Sequence, residues 1–289
     1  MSFKVFKKNI KYLCSHLLSK DILTVDILND NIEEAVIESF GSQLYPNILN
    51  VSETLDMLIS TNKSFVRFGD GEIELMSGKD IPFQTASFEL STMLKEVLCS
   101  NDDTIAIGIP GFIYKSKEKL NAIPRNFWRK TGGRFRKQIA PYFSNIRTYY
   151  AAETTIACDA YQDFNKQEFF DKFRKIWKDK DITIICGKTV FDKIEHNIFD
   201  NAQSVEYIYA PPLNAFETYN DILKHALHID KSRLVILILG PTAKVLVYDL
   251  AKSGFRALDL GHIAKSYDWY KCGRTTINMS DAVEFFNPD

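Results

Sequence analysis

The sequence predicts an α/β fold: a Rossmann-like, mostly parallel sheet with helices on both faces, behind a helical N-terminal extension. Three observations predict it. From residue 64 onward, short apolar runs alternate with longer stretches of helical period. Several of those runs are apolar on both faces, as strands are when crossover helices cover both sides of a parallel sheet. No Pro-, Gly- or Ser-rich linker and no internal repeat divides residues 60–270, so the alternation belongs to one domain. We therefore assign residues 1–60 to the extension and 61–289 to the sheet domain.

At the N-terminus, Phe3, Phe6, Ile10, Leu13 and Leu17 recur at three- and four-residue steps among Lys4, Lys7, Lys8, Lys11 and Lys20. This is the pattern of a basic amphipathic helix, packed on the domain with its lysines solvated or resting on an anionic membrane surface or a partner. Helices are expected next at 32–40, ending at Gly41, and at 53–59, with Ser52 as N-cap and Glu53 and Asp56 in the first turn. The runs at 64–68, 104–109, 147–151, 182–186, 205–209, 234–239 and 257–260 read as strands, and 88–98, 125–140, 166–178, 215–228 and 243–253 as the helices between them.

With 45% hydrophobic and 25% charged residues among 289, the chain is a globular protein large enough to need neither disulfide nor structural metal. Thirty-six basic against 37 acidic residues leave a net charge of −1. That lacks the positive field of a nucleic-acid binder, so an anionic ligand has to be met locally. Cys14, Cys99, Cys158, Cys186 and Cys272 are widely spaced with no Cys-x-x-Cys pair. They read as buried thiols of a reducing compartment rather than as a zinc ribbon or a disulfide framework. The longest aliphatic run, 234–239, falls far short of the ~20 residues of a membrane helix, and the lysine-rich N-terminus lacks a signal-peptide pattern. Both point to a cytoplasmic location, peripheral at the inner face of the membrane if residues 1–20 bind it.

In an open parallel sheet, ligands collect at the carboxyl ends of the strands, and three such positions carry polar residues. The first is Arg67-Phe68-Gly69-Asp70-Gly71-Glu72, followed in the next loop by Gln84. Its two glycines allow a tight turn, and in an extended segment Asp70 and Glu72 point to one side, where paired carboxylates suit Mg²⁺ or Mn²⁺. A plain turn with solvated acids is the alternative. The second, Gly240-Pro241-Thr242, follows the most apolar strand and opens a helix. A helix N-terminus suits a phosphate, although P-loop spacing is absent and Thr242 capping an ordinary turn is the alternative. The third, Asp259-Leu260-Gly261-His262, ends the last strand and sets His262 where phosphate binding, metal ligation or proton transfer is open to it. Asn201, Pro211, Pro212 and Asn214 flank another strand as pocket wall or as loop geometry.

Taken in order, RFGDGEIELMSG (67–78) with Phe83 and Gln84, Gly108-Ile109-Pro110, IFDNAQSV (198–205), Pro211, Asn214-Ala215-Phe216 and LGPTAKVLVYDLAKSGFRALDLGHI (239–263) with Tyr267 and Trp269 resemble the bacterial GT-D-fold glycosyltransferases. The resemblance runs from about Ser64 to Tyr270. It implies transfer of a hexose from a nucleotide sugar, a UDP-hexose, to a glycan or glycoconjugate acceptor in bacterial surface polysaccharide or glycoprotein assembly. Asp70 and Glu72 match its metal motif for Mn²⁺ or Mg²⁺, and Gly240, Thr242, Asp259 and His262 match its C-terminal signature. Asp70, Glu72 and His262 are then the expected catalytic residues; Arg67, Gly69, Gly71, Gln84, Asn201, Pro211, Gly240, Pro241, Thr242 and Asp259 are the expected ligand-binding set. The chemistry agrees, since cleaving a sugar–diphosphate bond builds negative charge on the leaving oxygen, which a metal and preorganised N–H groups offset.

Two departures accompany the resemblance. Lys193-Ile194-Glu195-His196-Asn197 stands where relatives typically carry Gly-x-Gly-Asn-Asp, and Ala264 and Ser266 stand where they tend to carry acids, with Asp268 nearby. They leave the base that activates the acceptor unassigned and motivate an alternative, a nucleotide-sugar-binding or scaffold protein without turnover. A Rossmann methyltransferase is opposed by the absence of Gly-x-Gly-x-Gly. No nucleic-acid partner is expected, and association of like chains stays open.

Overall fold

The computed structural model describes Ile32 and residues 46–114, 117–144, 147–276 and 278–286. The amphipathic helix expected around residues 3–17 lies outside them, as does all of the 32–40 helix except Ile32, which is helical and exposed. Among the described residues the strands are β1 (Asn47–Ile48), β2 (Ser64–Arg67), β3 (Ile105–Ile109), β4 (Thr148–Ala151), β5 (Asp181–Gly187), β6 (Ser204–Ala210), β7 (Leu234–Ile238) and β8 (Ala257–Asp259). They form one sheet in the order β1-β4-β3-β2-β8-β7-β5-β6, with every pairing parallel. The sequence did not announce β1, a two-residue edge strand that brings the sheet into the segment assigned to the extension.

The helices are α1 (Val51–Ser60), α2 (Asp70–Met76), α3 (Phe88–Cys99), α4 (Ala122–Ile139), α5 (Ala157–Ala160), α6 (Lys166–Arg174), α7 (Tyr219–Ala226), α8 (Thr242–Lys252), α9 (Ile263–Lys271) and α10 (Met279–Phe286). They cover the sheet on both sides. Successive strand residues point to opposite faces, so Val235 and Leu237 of β7 join a core with α2, α3, α4, α7 and α8, while Leu234, Ile236 and Ile238 join a second core with α1, α6 and α9. Both sets are buried, which is why the run reads as continuously apolar. No helix among the described residues is long and apolar enough to cross a membrane.

Several local expectations change. The N-cap of α1 is Asn50, not Ser52: Asn50 Oδ1 accepts from Glu53 N at 3.0 Å and Glu53 Oε2 accepts from Asn50 N at 2.7 Å, a reciprocal pair that Ser52, already inside the helix, has no means to form. The predicted 215–228 helix opens as a 3₁₀ turn over Ala215–Thr218, because Asn214 sits left-handed at φ 51°. Cys158 and Cys186 are buried as expected, but Cys99 and Cys272 are exposed, since each lies at the end of a helix rather than on its packed face. Cys14 lies outside the described residues.

Candidate active site

The strand order creates a switch point. From β2 the chain continues outward through β3 and β4, while β8, β7, β5 and β6 extend the sheet the other way. The crevice at the carboxyl ends of β2 and β8 is where open α/β sheets bind ligands. Arg67 ends β2 and Asp259 ends β8.

All three nitrogens of the Arg67 guanidinium are engaged there. Its Nε donates to the Asp259 carbonyl at 3.0 Å, Nη2 pairs with Asp259 Oδ1 at 3.2 Å, and Nη1 donates to Thr155 Oγ1 at 2.6 Å and to the Ala152 carbonyl at 3.2 Å. The fork thus ties β2 to β8 and to the 3₁₀ turn after β4. Gly261 makes room for it. A Cβ there would lie 1.9 Å from Arg67 Nη2, and the residue also holds φ at +42°.

The segment carrying Asp70 and Glu72 is helical rather than extended. Both acids lie in the first turn of α2, where residues two apart diverge by roughly 200° around the axis. Glu72 turns inward and is buried. Its Oε2 accepts from Gly69 N at 2.7 Å, capping α2, and its Oε1 pairs with Lys244 Nζ at 2.9 Å. Asp70 turns outward and is exposed. Desolvation by the surrounding crevice and then the Glu72 carboxylate push its pKa above the ordinary carboxylate value. Gly69 and Gly71 supply space, not a left-handed turn: a Cβ at either would lie 3.3 Å from Glu72 Oε2 or from Ile81 Cδ1.

Lys244, a residue the sequence reading passed over, joins these parts. It lies on the first turn of α8, and its buried Nζ pairs with Glu72 at 2.9 Å and Asp259 Oδ2 at 3.1 Å and donates to the Gly240 carbonyl at 3.0 Å. A cation at a helix N-terminus opposes the dipole, and the two carboxylates offset it. Burial alone would raise the Asp259 pKa, but the Arg67 and Lys244 charges outweigh burial and hold it below the usual carboxylate range. The available signal was a lysine inside the otherwise buried helical run 242–247. Lysine is rarely buried without partners.

The remaining expected residues divide. Gly240 takes φ +51° to lead β7 into α8 under the Phe83 ring. Pro241 is the helical N-cap, and the buried Thr242 Oγ1 has no hydrogen-bond partner, so Thr242 does not cap α8. Half-buried His262 is the N-cap of α9 and packs against the rings of Phe285 and Phe286. Desolvation and then Arg67 and Lys265 lower its pKa to about 4, leaving a neutral imidazole near pH 7. Gln84 is buried and spent on loop structure, donating to the Thr85 carbonyl and accepting from Phe216 N at 3.3 Å. Pro211 is exposed beyond β6, the far edge strand. Asn201 is not brought to the crevice. Its carbonyl accepts from Asp179 N before β5, at the amino edge, because a parallel β6 must restart from the edge where β5 began.

Asp70 therefore offers the one outward carboxylate of this group, on the first turn of α2, while Glu72 on the same turn reaches Lys244 of α8. That arrangement fits a hard divalent ion shared with ligand phosphates, since Mg²⁺ is commonly held by one or two carboxylates plus phosphate oxygens. Glu72, with both oxygens engaged, fits the placing of Asp70.

An all-parallel sheet with a charged crevice at its switch point defines a Rossmann-like α/β domain. The model of the glycosyltransferase GT-D fold family matches residues 65–283, and the chain belongs to that family. It is 33% identical over 230 residues to "Probable glycosyl transferase Gly" of Streptococcus gordonii, covering 78% of this chain and 33% of that protein. It is 32% identical over 235 residues to "Glycosyltransferase GlyD" of Streptococcus pneumoniae serotype 4, covering 79% and 28%. The match thus spans a third or less of these curated relatives. A solved structure described as "A New Glycosyltransferase (DUF1792) from Streptococcus sanguinis" superposes with a TM-score of 0.74 at 32% identity, over 80% of this chain and 86% of that one. Another, described as having "a distinct glycosyltransferase fold", superposes with a TM-score of 0.75 at 31% identity, over 81% and 85%.

Proposed function

We propose that the chain transfers a hexose from a nucleotide sugar, a UDP-hexose, to a glycan or glycoconjugate acceptor of the bacterial surface, with Mn²⁺ or Mg²⁺ at Asp70. One observation carries the reading: Asp70 is presented outward at the switch point while the Arg67–Asp259–Lys244–Glu72 network holds the floor beneath it. When bound, the divalent ion supplies positive charge to the leaving diphosphate.

The protein's own groups do the rest. Glu72 caps α2 and so sets the backbone on which Asp70 stands. Lys244 and Arg67 neutralise Glu72 and Asp259, so the crevice floor does not repel a diphosphate. The positive end of α8 adds to that field. His262, neutral at pH 7, offers a hydrogen bond rather than a charge to what binds beside it. Residues 1–20 would bring the enzyme to a membrane-borne acceptor.

Calorimetric titration of UDP with and without Mn²⁺ tests the reading. Mn²⁺ should tighten UDP binding to the wild type and leave binding to Asp70→Ala unchanged; a full Mn²⁺ effect in Asp70→Ala would overturn it. Hydrolysis of UDP-hexose by the wild type separates an enzyme from a binding protein without turnover.

A further inference from the structure

We propose that Glu195, His196 and Cys272 form a zinc site, separate from the crevice, that fastens the β5–β6 loop to the end of α9. The donor atoms of the three side chains lie within 4.8 Å of one another, and they are the group of this kind among the described residues. Two come from the loop after β5 and one from the C-cap that follows α9, so only the fold assembles them.

The spacing suits the ion. Zinc binds thiolate sulfur at about 2.3 Å and imidazole nitrogen at about 2.0–2.1 Å, so two corners of its tetrahedron lie about 3.5–3.6 Å apart. Cys272 Sγ and His196 Nδ1 are 3.6 Å apart. The donor set selects the metal as well, because thiolate and imidazole favour zinc over the oxygen-seeking Mg²⁺ or Mn²⁺. Three protein ligands would leave the fourth position open to water.

The loop is already held in place for this role. Asp268 Oδ1, one helical turn before Cys272, accepts from Glu195 N at 3.0 Å and His196 N at 2.8 Å, fixing both backbones against α9. The same oxygen lies 3.3 Å from His196 Nδ1, so the nitrogen that faces Cys272 is also held against α9. A Cys-His-Asp nucleophile relay does not fit. A relay needs the two ring nitrogens on different partners, and here Cys272 and Asp268 both face Nδ1.

Cobalt, which replaces zinc and is coloured, tests the site on the full chain. One equivalent of Co²⁺ should give a thiolate-to-cobalt charge-transfer band that Zn²⁺ bleaches. Cys272→Ser, a change at an exposed residue, should abolish the band, and His196→Ala should weaken Co²⁺ binding about tenfold or more. Asp70→Ala should retain the band, which keeps this proposal distinct from the metal reading of the crevice. Absence of the band in the wild type, or its survival in Cys272→Ser, would overturn the assignment.

Discussion

Lys244 Nζ lies 2.9 Å from Glu72 Oε1, with both side chains a tenth exposed or less. The pair joins the first turns of α2 and α8, and Asp259 at 3.1 Å makes it a three-residue cluster with one cation between two acids. Removing the cation leaves buried carboxylates facing each other. Lys244→Met should lower stability by about 3–5 kcal/mol in urea unfolding. Adding Glu72→Gln should recover part of that loss; a single-variant loss below about 1 kcal/mol would show the cluster to be solvent-screened.

Asp70 should behave in the opposite way. Its ionised form is disfavoured by its surroundings, so Asp70→Asn should leave the melting temperature unchanged or raised at pH 7. The same variant should weaken Mn²⁺-dependent UDP binding about tenfold or more. A fall in melting temperature comparable to that of Lys244→Met would assign Asp70 a structural role instead.

Gly261 is a steric requirement of Arg67. Gly261→Ala combines φ +42° with a Cβ 1.9 Å from the guanidinium and should destabilise the protein by about 1–3 kcal/mol. Gly78, at φ +77° with nothing within 4 Å of a Cβ, isolates the backbone contribution. Gly78→Ala should therefore be the milder change in parallel thermal melts.

Two desolvated titrations act with opposite sign on acid stability. His262 has its folded pKa lowered to about 4 from 6.5, so the unfolded chain protonates first and stability is lost as pH falls from 6.5 toward 4. Asp159, hydrogen-bonded by Ser266 Oγ at 2.8 Å, is raised by desolvation to about 6 from 3.8, so the folded chain protonates first and stability is gained as pH falls from 6 toward 3.8. His262→Gln should flatten the acid loss, and Asp159→Asn should steepen it. Unfolding curves at pH 7, 5.5 and 4.5 would show whether the two slopes move apart.

Asn214 links loops that the sequence places 129 residues apart. Its Oδ1 accepts from Thr85 N at 2.8 Å, its backbone N–H donates to the Phe83 carbonyl at 2.9 Å, and its φ is +51°. Asn214→Ala removes the side-chain bond and forces alanine into a left-handed position, for a loss of about 1–2 kcal/mol. Faster proteolysis within residues 79–87 should accompany it.

Much of the fold was legible because burial on both faces leaves a local mark. The runs at 182–186 and 234–239 announced central strands, and the structure places β5 and β7 within one residue of those ends. The edge strand β1 left no such mark, since two residues carry no period. The site was legible as a set of strand ends but not as an arrangement. Gln84 and Asn201 looked like binding residues because a polar side chain beside a strand has the same appearance whether it faces a ligand or its own backbone.

The sequence by itself determined the alternation of strands and helices and the motifs at the strand ends, because hydrophobic period and turn chemistry are properties of neighbouring residues. Tertiary structure alone decided that β8 lies beside β2, so that Arg67 meets Asp259 across 192 positions. It also decided that Glu72 turns in to Lys244 while Asp70 turns out. Strand order and charge pairing follow from how crossovers pack over the whole sheet, and no local window of residues contains that information.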